Sequence, residues 1–131
     1  MTTKKLIVEV QKEVLAICKL NRSESIPSWA MSGSFFSISH TTDELSIVCH
    51  DELVPADIKT ERDWRSLKVQ GALSFSEVGI LAQLSNVLAK VGVSIFVIST
   101  FDTDYIQVNC IALENAIKAL SNAGIDITYA S

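Results

Sequence analysis

The sequence predicts an α+β fold, and three observations carry that expectation. Two segments space their apolar residues at helical period and run into a glycine. Short apolar runs with strand character flank both. In the second half of the chain these elements alternate as β-α-β-β-α-β, over 67–73, 77–91, 93–99, 104–109, 112–122 and 125–129. That order is the ferredoxin-like split βαβ arrangement, an antiparallel four-stranded sheet with both helices on one face.

The stretch from 73 to 108 organises the chain. Ile80, Leu81, Leu84, Val87, Leu88 and Val91 form one continuous face at 3.6 residues per turn. Ser74 and Glu77 have capping-box spacing for the helix start, and Gly92 is a stop just past Val91. Val93 to Ile98 reads as a strand buried on both faces, Ser99 to Asp104 as a polar turn, and Tyr105 to Val108 as the returning strand. The second helix places Leu113, Ala116, Ile117 and Leu120 on one face and stops at Gly124.

The first half is poorer in helix. Leu6–Val10 and Val14–Leu20 read as two strands, or as one continued past a bulge at Gln11–Glu13. Pro27 suits the first position of a short helix. Phe35–His40 and Leu45–Cys49 are strands around the turn Thr41–Glu44, and the polar stretch from Pro55 to Arg65 is the expected boundary. Sliding the sequence by 60 lays 34–53 over 94–113, with identities at Ser34/Ser94, Phe36/Phe96, Ile38/Ile98, Ser39/Ser99, Val48/Val108 and Leu53/Leu113, and Glu44 over Asp104. One central hairpin therefore occurs twice, the first time without its strong leading helix.

Composition narrows the function classes. The 131 residues carry a net charge of −4 and are 48% hydrophobic, as in a globular protein. No apolar run approaches the roughly 20 residues that span a bilayer, and charges interrupt MTTKKLIVEVQKE too early for a signal peptide. The expectation is a cytoplasmic protein with no membrane or nucleic-acid partner, since Lys and Arg do not cluster. Cys18, Cys49 and Cys110, an odd count without C-x-x-C spacing, read as buried free thiols. His40 and His50 lack partners at zinc spacing, so no metal is expected. There is no nucleophile elbow, no dinucleotide fingerprint and no phosphate loop. No catalytic residue and no cofactor are nominated, and the chain is not expected to be an enzyme.

The stretches IPSWA, FFSISHTTDELSIVC and GILAQLSNVLAKVGVSIFVISTFDTDYIQV resemble the ACT domain family. They are similar above all to its small stand-alone tandem bacterial members, to the ACT domains of aspartate kinases and to the ACT repeats of the cytosolic arginine sensor of the TOR pathway. The resemblance implies tandem ACT-like modules, 1–62 with reduced helices and 63–131 as the C-terminal ACT domain. It implies regulatory binding of an amino acid at an interface between two ACT modules, and no catalysis.

An amino acid suggests where to look. Its carboxylate suits the amides at a helix start, here Val78, Gly79 and Ile80, where the helix dipole also favours an anion. Its ammonium needs an acid among hydroxyls and carbonyls, and Ser99, Thr100, Phe101, Thr103 and Asp104 provide that, with Asp104 as the anchor. These two pieces are expected to meet best when two modules pack side by side. The apolar strand set is larger than two helices can cover, which predicts a homodimer, and the resemblance implies an effector protein or enzyme as further partner. Asp102 reads as an ordinary turn residue, Glu44 as an exposed acid, and Trp29 and Trp64 as core or interface packing. The alternative function is a structural dimerisation module with a vestigial ligand site.

Overall fold

The computed structural model describes residues 6–70 and 79–131. The capping pair Ser74 and Glu77, Val78, and the end of the predicted strand at 71–73 lie outside the described residues. The chain divides into two compact units: one of residues 1–12 and 65–131, the other of Glu13–Trp64. Strands β1 (Ile7–Leu20) and β4 (Thr60–Gln70) contribute to both.

The larger unit holds α1 (Ile80–Lys90), β5 (Ile95–Ser99), β6 (Asp104–Asn109), α2 (Leu113–Asn122) and β7 (Asp126–Tyr129). Its core gathers alternate strand residues, Val8 and Val10, Leu67 and Val69, Ile106 and Val108, against Leu84 and Leu88 of α1 and Ala116 and Leu120 of α2. Both helices therefore cover one sheet face, as the periodicity predicts. Each buried leucine side chain is worth about 1.5–3 kcal/mol relative to exposure. The helices end alike. Gly92 and Gly124 take φ of 73° and 87° and donate to Ala89 and Ser121, and the next amides, Val93 and Ile125, reach back to Leu88 and Leu120. This is the Schellman motif, which requires the left-handed conformation that glycine adopts without steric cost. Val91, expected on the apolar stripe, is exposed at the end of α1.

Three readings of this unit change. β1 lies between β4 and β7, so the strand order within this unit is β7-β1-β4-β6-β5, five strands where the sequence predicts four. The β1–β7 pairing is parallel, Ile7 facing Asp126 and Val10 facing Tyr129, whereas β5–β6 is antiparallel. A split βαβ unit read from one contiguous segment has no place for a strand supplied 60 residues earlier. The second change is β5. Its apolar residues predict burial on both faces, but it ends the strand order and Ile95 to Ile98 are only half-buried. The third is β4, which begins at Thr60 within the polar stretch expected to be a boundary. Asp63, at φ 66°, is its left-handed residue, held by its amide donating to Asp51 Oδ2 at 3.1 Å.

The smaller unit holds a 3₁₀ turn at Ser28–Met31, β2 (Ser37–His40), β3 (Leu45–His50) and a 3₁₀ turn at Asp51–Leu53, with strand order β2-β3-β1-β4. Pro27 caps the first 3₁₀ turn from outside, in extended conformation. The two runs before Asn21 form the single strand β1. The core packs Ala16, Cys18 and Leu20 of β1 against Leu45, Ile47 and Cys49 of β3, with Trp29 at its margin. No α-helix covers it among the described residues. Arg62 instead clamps the chain after β3, its guanidinium donating to Asp51 Oδ1 at 2.9 Å and to the carbonyls of Asp51, Val54 and Pro55.

Candidate functional site

The turn between β5 and β6 is built by its own side chains. Thr100 N–H donates to the Thr103 carbonyl at 2.8 Å, Thr100 Oγ1 donates to the same carbonyl, and Thr103 N–H donates to Thr100 Oγ1. Below it Ser99 and Asp104 close the ladder as partners, and Ser99 Oγ donates to Asp104 Oδ1 at 2.5 Å. Asp104 is half-buried, and Phe101, at the tip, is 84% exposed. Thr103 Oγ1 donates to the carbonyl of Val69, which fixes the turn to the end of β4 from which the chain leaves toward α1.

The helix start has a different character. Gly79 is exposed at φ 87° and accepts the first helical bond, from Gln83 N–H at 2.9 Å. A Cβ added there would meet nothing within 4 Å, so its glycine serves the backbone conformation and not close packing on the sheet. The first turn of α1 contains no acid. Ile80 points the other way and packs at the core margin. Because α1 ends four residues before β5 and β5 runs back to the turn, the start of α1 and the turn lie toward the same end of this unit. The sequence predicts instead that the two meet best across two modules. Ser99, Thr100, Thr103 and Asp104 are joined to one another by register or hydrogen bond; Phe101, Gly79 and Ile80 are placed near that end of the unit without a shared bond to them.

The two hairpins share a register that the sequence comparison missed by one. Thr41 N–H donates to the Glu44 carbonyl at 2.9 Å as Thr100 does to Thr103, His40 pairs with Leu45 as Ser99 pairs with Asp104, and 3₁₀ turns begin at Asp51 and Cys110. Each correspondence is offset by 59, not 60. Thr41 lies over Thr100 and Asp43 over Asp102, Glu44 corresponds to Thr103, and Leu45 to Asp104. Scattered identities before, within and after the two hairpins favour the offset of 60; the T-x-D of the turn, Thr41 to Asp43 and Thr100 to Asp102, is the better signal.

The histidines are occupied by local contacts: His40 Nε2 lies 3.0 Å from the Arg22 carbonyl and His50 Nε2 3.0 Å from Ser34 Oγ. Among the described residues no group of three or more His, Cys, Asp or Glu is placed to hold a metal ion, and no helix is long and apolar enough to cross a membrane. Sequence reasoning also passed over Gln107, which is 0% exposed in the middle of β6 and donates to Ser66 Oγ at 3.1 Å on the face opposite the helices.

Known proteins share this architecture. Residues 59–122 match the family model described as the ACT domain, and residues 13–57 match a separate model of an N-terminal domain. A protein from Agobacterium tumefaciens of known crystal structure is 36% identical and superposes with a TM-score of 0.91, over 98% of this chain and 96% of that one. The regulatory subunit of aspartate kinase from Thermus thermophilus has the same fold at a TM-score of 0.63 and 9% identity, over 93% and 99% of the two chains. The cytosolic arginine sensor for mTORC1 subunit 1 of Mus musculus is 35% identical over a 98-residue alignment that covers 63% of this chain and 30% of that one. This chain thus spans under a third of the length of that curated relative. With the α+β architecture, the two Schellman-capped helices on one sheet face and these matches in hand, residues 59–122 of the chain belong to the ACT domain family.

Proposed function

We propose that the protein is a non-catalytic regulatory protein that binds an amino acid or similar small zwitterion at an ACT–ACT interface. The observation that carries this reading is Asp104, a half-buried carboxylate that accepts from Ser99 at the end of the unit where α1, whose first turn holds no acid, also begins. The acid suits an ammonium group. The amides of the first turn, with Val78, Gly79 and Ile80, suit a carboxylate. Thr100, Phe101 and Thr103 shape the turn that presents Asp104. The similarity to a protein named as an arginine sensor points to the same ligand class.

The pocket for the ligand's side chain is completed by a second ACT module in a homodimer. The half-buried edge strand β5 supports that association, and a stable pair needs an interface above about 1,000 Å². Residues 1–62 and 63–131 are the two modules of the tandem in this reading. The bound dimer signals to an effector protein or enzyme in the cytoplasm, the compartment named for the arginine sensor.

Thermal melting of the full chain against a panel of amino acids tests the proposal. A ligand of the folded state stabilises it by about 2.7 kcal/mol at a hundredfold excess over Kd. One amino acid raising Tm in proportion to the logarithm of its concentration is the expected result. A flat response to all, with a dimer intact by light scattering, leaves the dimerisation module with a vestigial site as the function.

A further inference from the structure

We propose that the smaller unit carries a second ligand site, independent of Asp104, which binds a small neutral α-amino acid on the sheet face away from the core of that unit. Cys18, Leu45 and Thr60 mark the core face: the first two are buried in it, and the Thr60 hydroxyl lies 3.7 Å from the Cys18 sulfur. Side chains alternate along a strand, so their neighbours Ile17 and Lys19, Glu44 and Ser46, and Lys59 and Glu61 point the other way. These six line one open recess of about 210 Å³. That is below the roughly 300–1,000 Å³ of pockets for drug-sized ligands, so the recess fits a smaller molecule.

The recess holds two charges of each sign in a definite order. Lys19 pairs with Ser46 of β3 on one side, and on the other its amide donates to the Lys59 carbonyl at 3.0 Å. The two lysines therefore stand side by side, and facing like charges destabilise a sheet. Glu61 follows Lys59 by two residues, roughly 7 Å along the strand. Glu44 precedes Ser46 by two at the opposite side of the recess. Among the described residues, none of these four charged side chains has an ion-pair or hydrogen-bond partner. In the same unit Arg62 and Asp51 do pair, at 2.9 Å.

The ligand follows from that arrangement. A carboxylate between Lys19 and Lys59 accepts from both ammonium groups and relieves their repulsion, and such charge-assisted bonds are the stronger ones. An ammonium group on the adjacent carbon donates to Glu61. A bare anion such as phosphate would gain the lysines but meet the two acids that flank them. Half-buried Ile17 lies between as an apolar floor, on which a short aliphatic side chain packs. A small α-amino acid joins these three features in one molecule, and its zero net charge matches that of the recess.

The test titrates the isotope-labelled full chain with L-alanine at low ionic strength and follows backbone amides by NMR. Acetate, ethylammonium and inorganic phosphate serve as separate probes. L-alanine is expected to shift the amides of Ile17, Lys19, Ser46 and Glu61 saturably, and acetate or ethylammonium alone to bind about tenfold more weakly. Lys59→Met and Glu61→Gln, both at exposed positions, should each weaken L-alanine about three- to tenfold. Asp104→Asn should leave these shifts unchanged, so failure at the recess and failure at Asp104 are read separately. Phosphate binding as tightly as L-alanine, an unchanged response in Glu61→Gln, or loss of the shifts in Asp104→Asn would each overturn the proposal.

Discussion

The β2–β3 and β5–β6 hairpins are the same turn put to two uses. Both begin on a threonine whose hydroxyl accepts from amides two or three residues on, and both carry an aspartate at the third position. They differ in the pair that closes the ladder. In the smaller unit His40 faces Leu45, which is buried in the core; in the larger, Ser99 faces Asp104, which is half-buried and hydrogen-bonded. The turn therefore does not need a carboxylate at that position, since leucine does as well there. Asp43 and Asp102, present in both, belong to the turn; Asp104 is surplus to it and free for another task. The covering of the two units differs as well. The larger unit uses two α-helices, the smaller uses 3₁₀ turns and the Arg62 clamp.

The largest expected effect tests the helical covering. Leu84→Ala empties the middle of the α1 stripe, where the side chain is fully buried, and should cost about 2–5 kcal/mol in urea melts. Gln83→Ala, on the exposed face, should stay within about 0.5 kcal/mol of wild type. Equal costs would mean that α1 does not cover the core as described.

Next comes the surplus acid. Asp104→Asn keeps the shape and the bond from Ser99 while removing the charge. A charge-assisted bond to a ligand is worth roughly 1.5–3 kcal/mol, so calorimetric titration with the amino acid that gives the largest thermal shift should show affinity falling about ten- to a hundredfold. Ligand-free stability should hardly change. A large loss of stability without ligand would make Asp104 a structural residue after all.

Arg62→Met tests the covering of the smaller unit. It keeps the aliphatic stem and removes bonds to the Asp51 carboxylate and three carbonyls. The side chain is 35% exposed, so water replaces part of what is lost, and the cost should be about 1–2 kcal/mol. Hydrogen exchange should speed for the Val54 amide, which donates to the Asp51 carbonyl. Unchanged exchange there would show that the clamp is ornamental.

How much of this was legible follows from how local each signal is. The spacing of Leu84, Leu88, Ala116 and Leu120 and the glycines at 92 and 124 are contained within single helices, and they mark both helices and their shared face. The place of β1 between β4 and β7 was not legible, because strand pairing is a relation between distant segments and β1 carries the same apolar alternation wherever it pairs. The half-exposure of β5 was hidden for the same reason: an apolar run does not say whether it ends a sheet. At the site, the turn residues Ser99, Thr100 and Asp104 could be read from the polar break between strands, whereas the Thr103 bond to Val69 joins residues 34 positions apart.

The smallest effect sharpens the comparison most. Thr41→Val and Thr100→Val each remove one turn hydroxyl and keep the β-branched shape. Both sites are exposed, so each should cost about 0.5–1 kcal/mol. Thr41 should cost slightly more, because its Oγ1 accepts from the amides of Asp43 and Glu44 while Thr100 accepts from Thr103 alone. The ligand response should separate them where stability does not. Thr100 holds the turn that presents Asp104, so Thr100→Val should weaken amino-acid binding several-fold. Thr41 holds a turn that closes on Leu45, and its loss should leave affinity unchanged. Equal weakening by both would mean that ligand binding follows overall stability and not the turn at Asp104. No weakening by Thr100→Val, with affinity still lost in Asp104→Asn, would mean that Ser99 and the strand register hold the carboxylate without help from the turn.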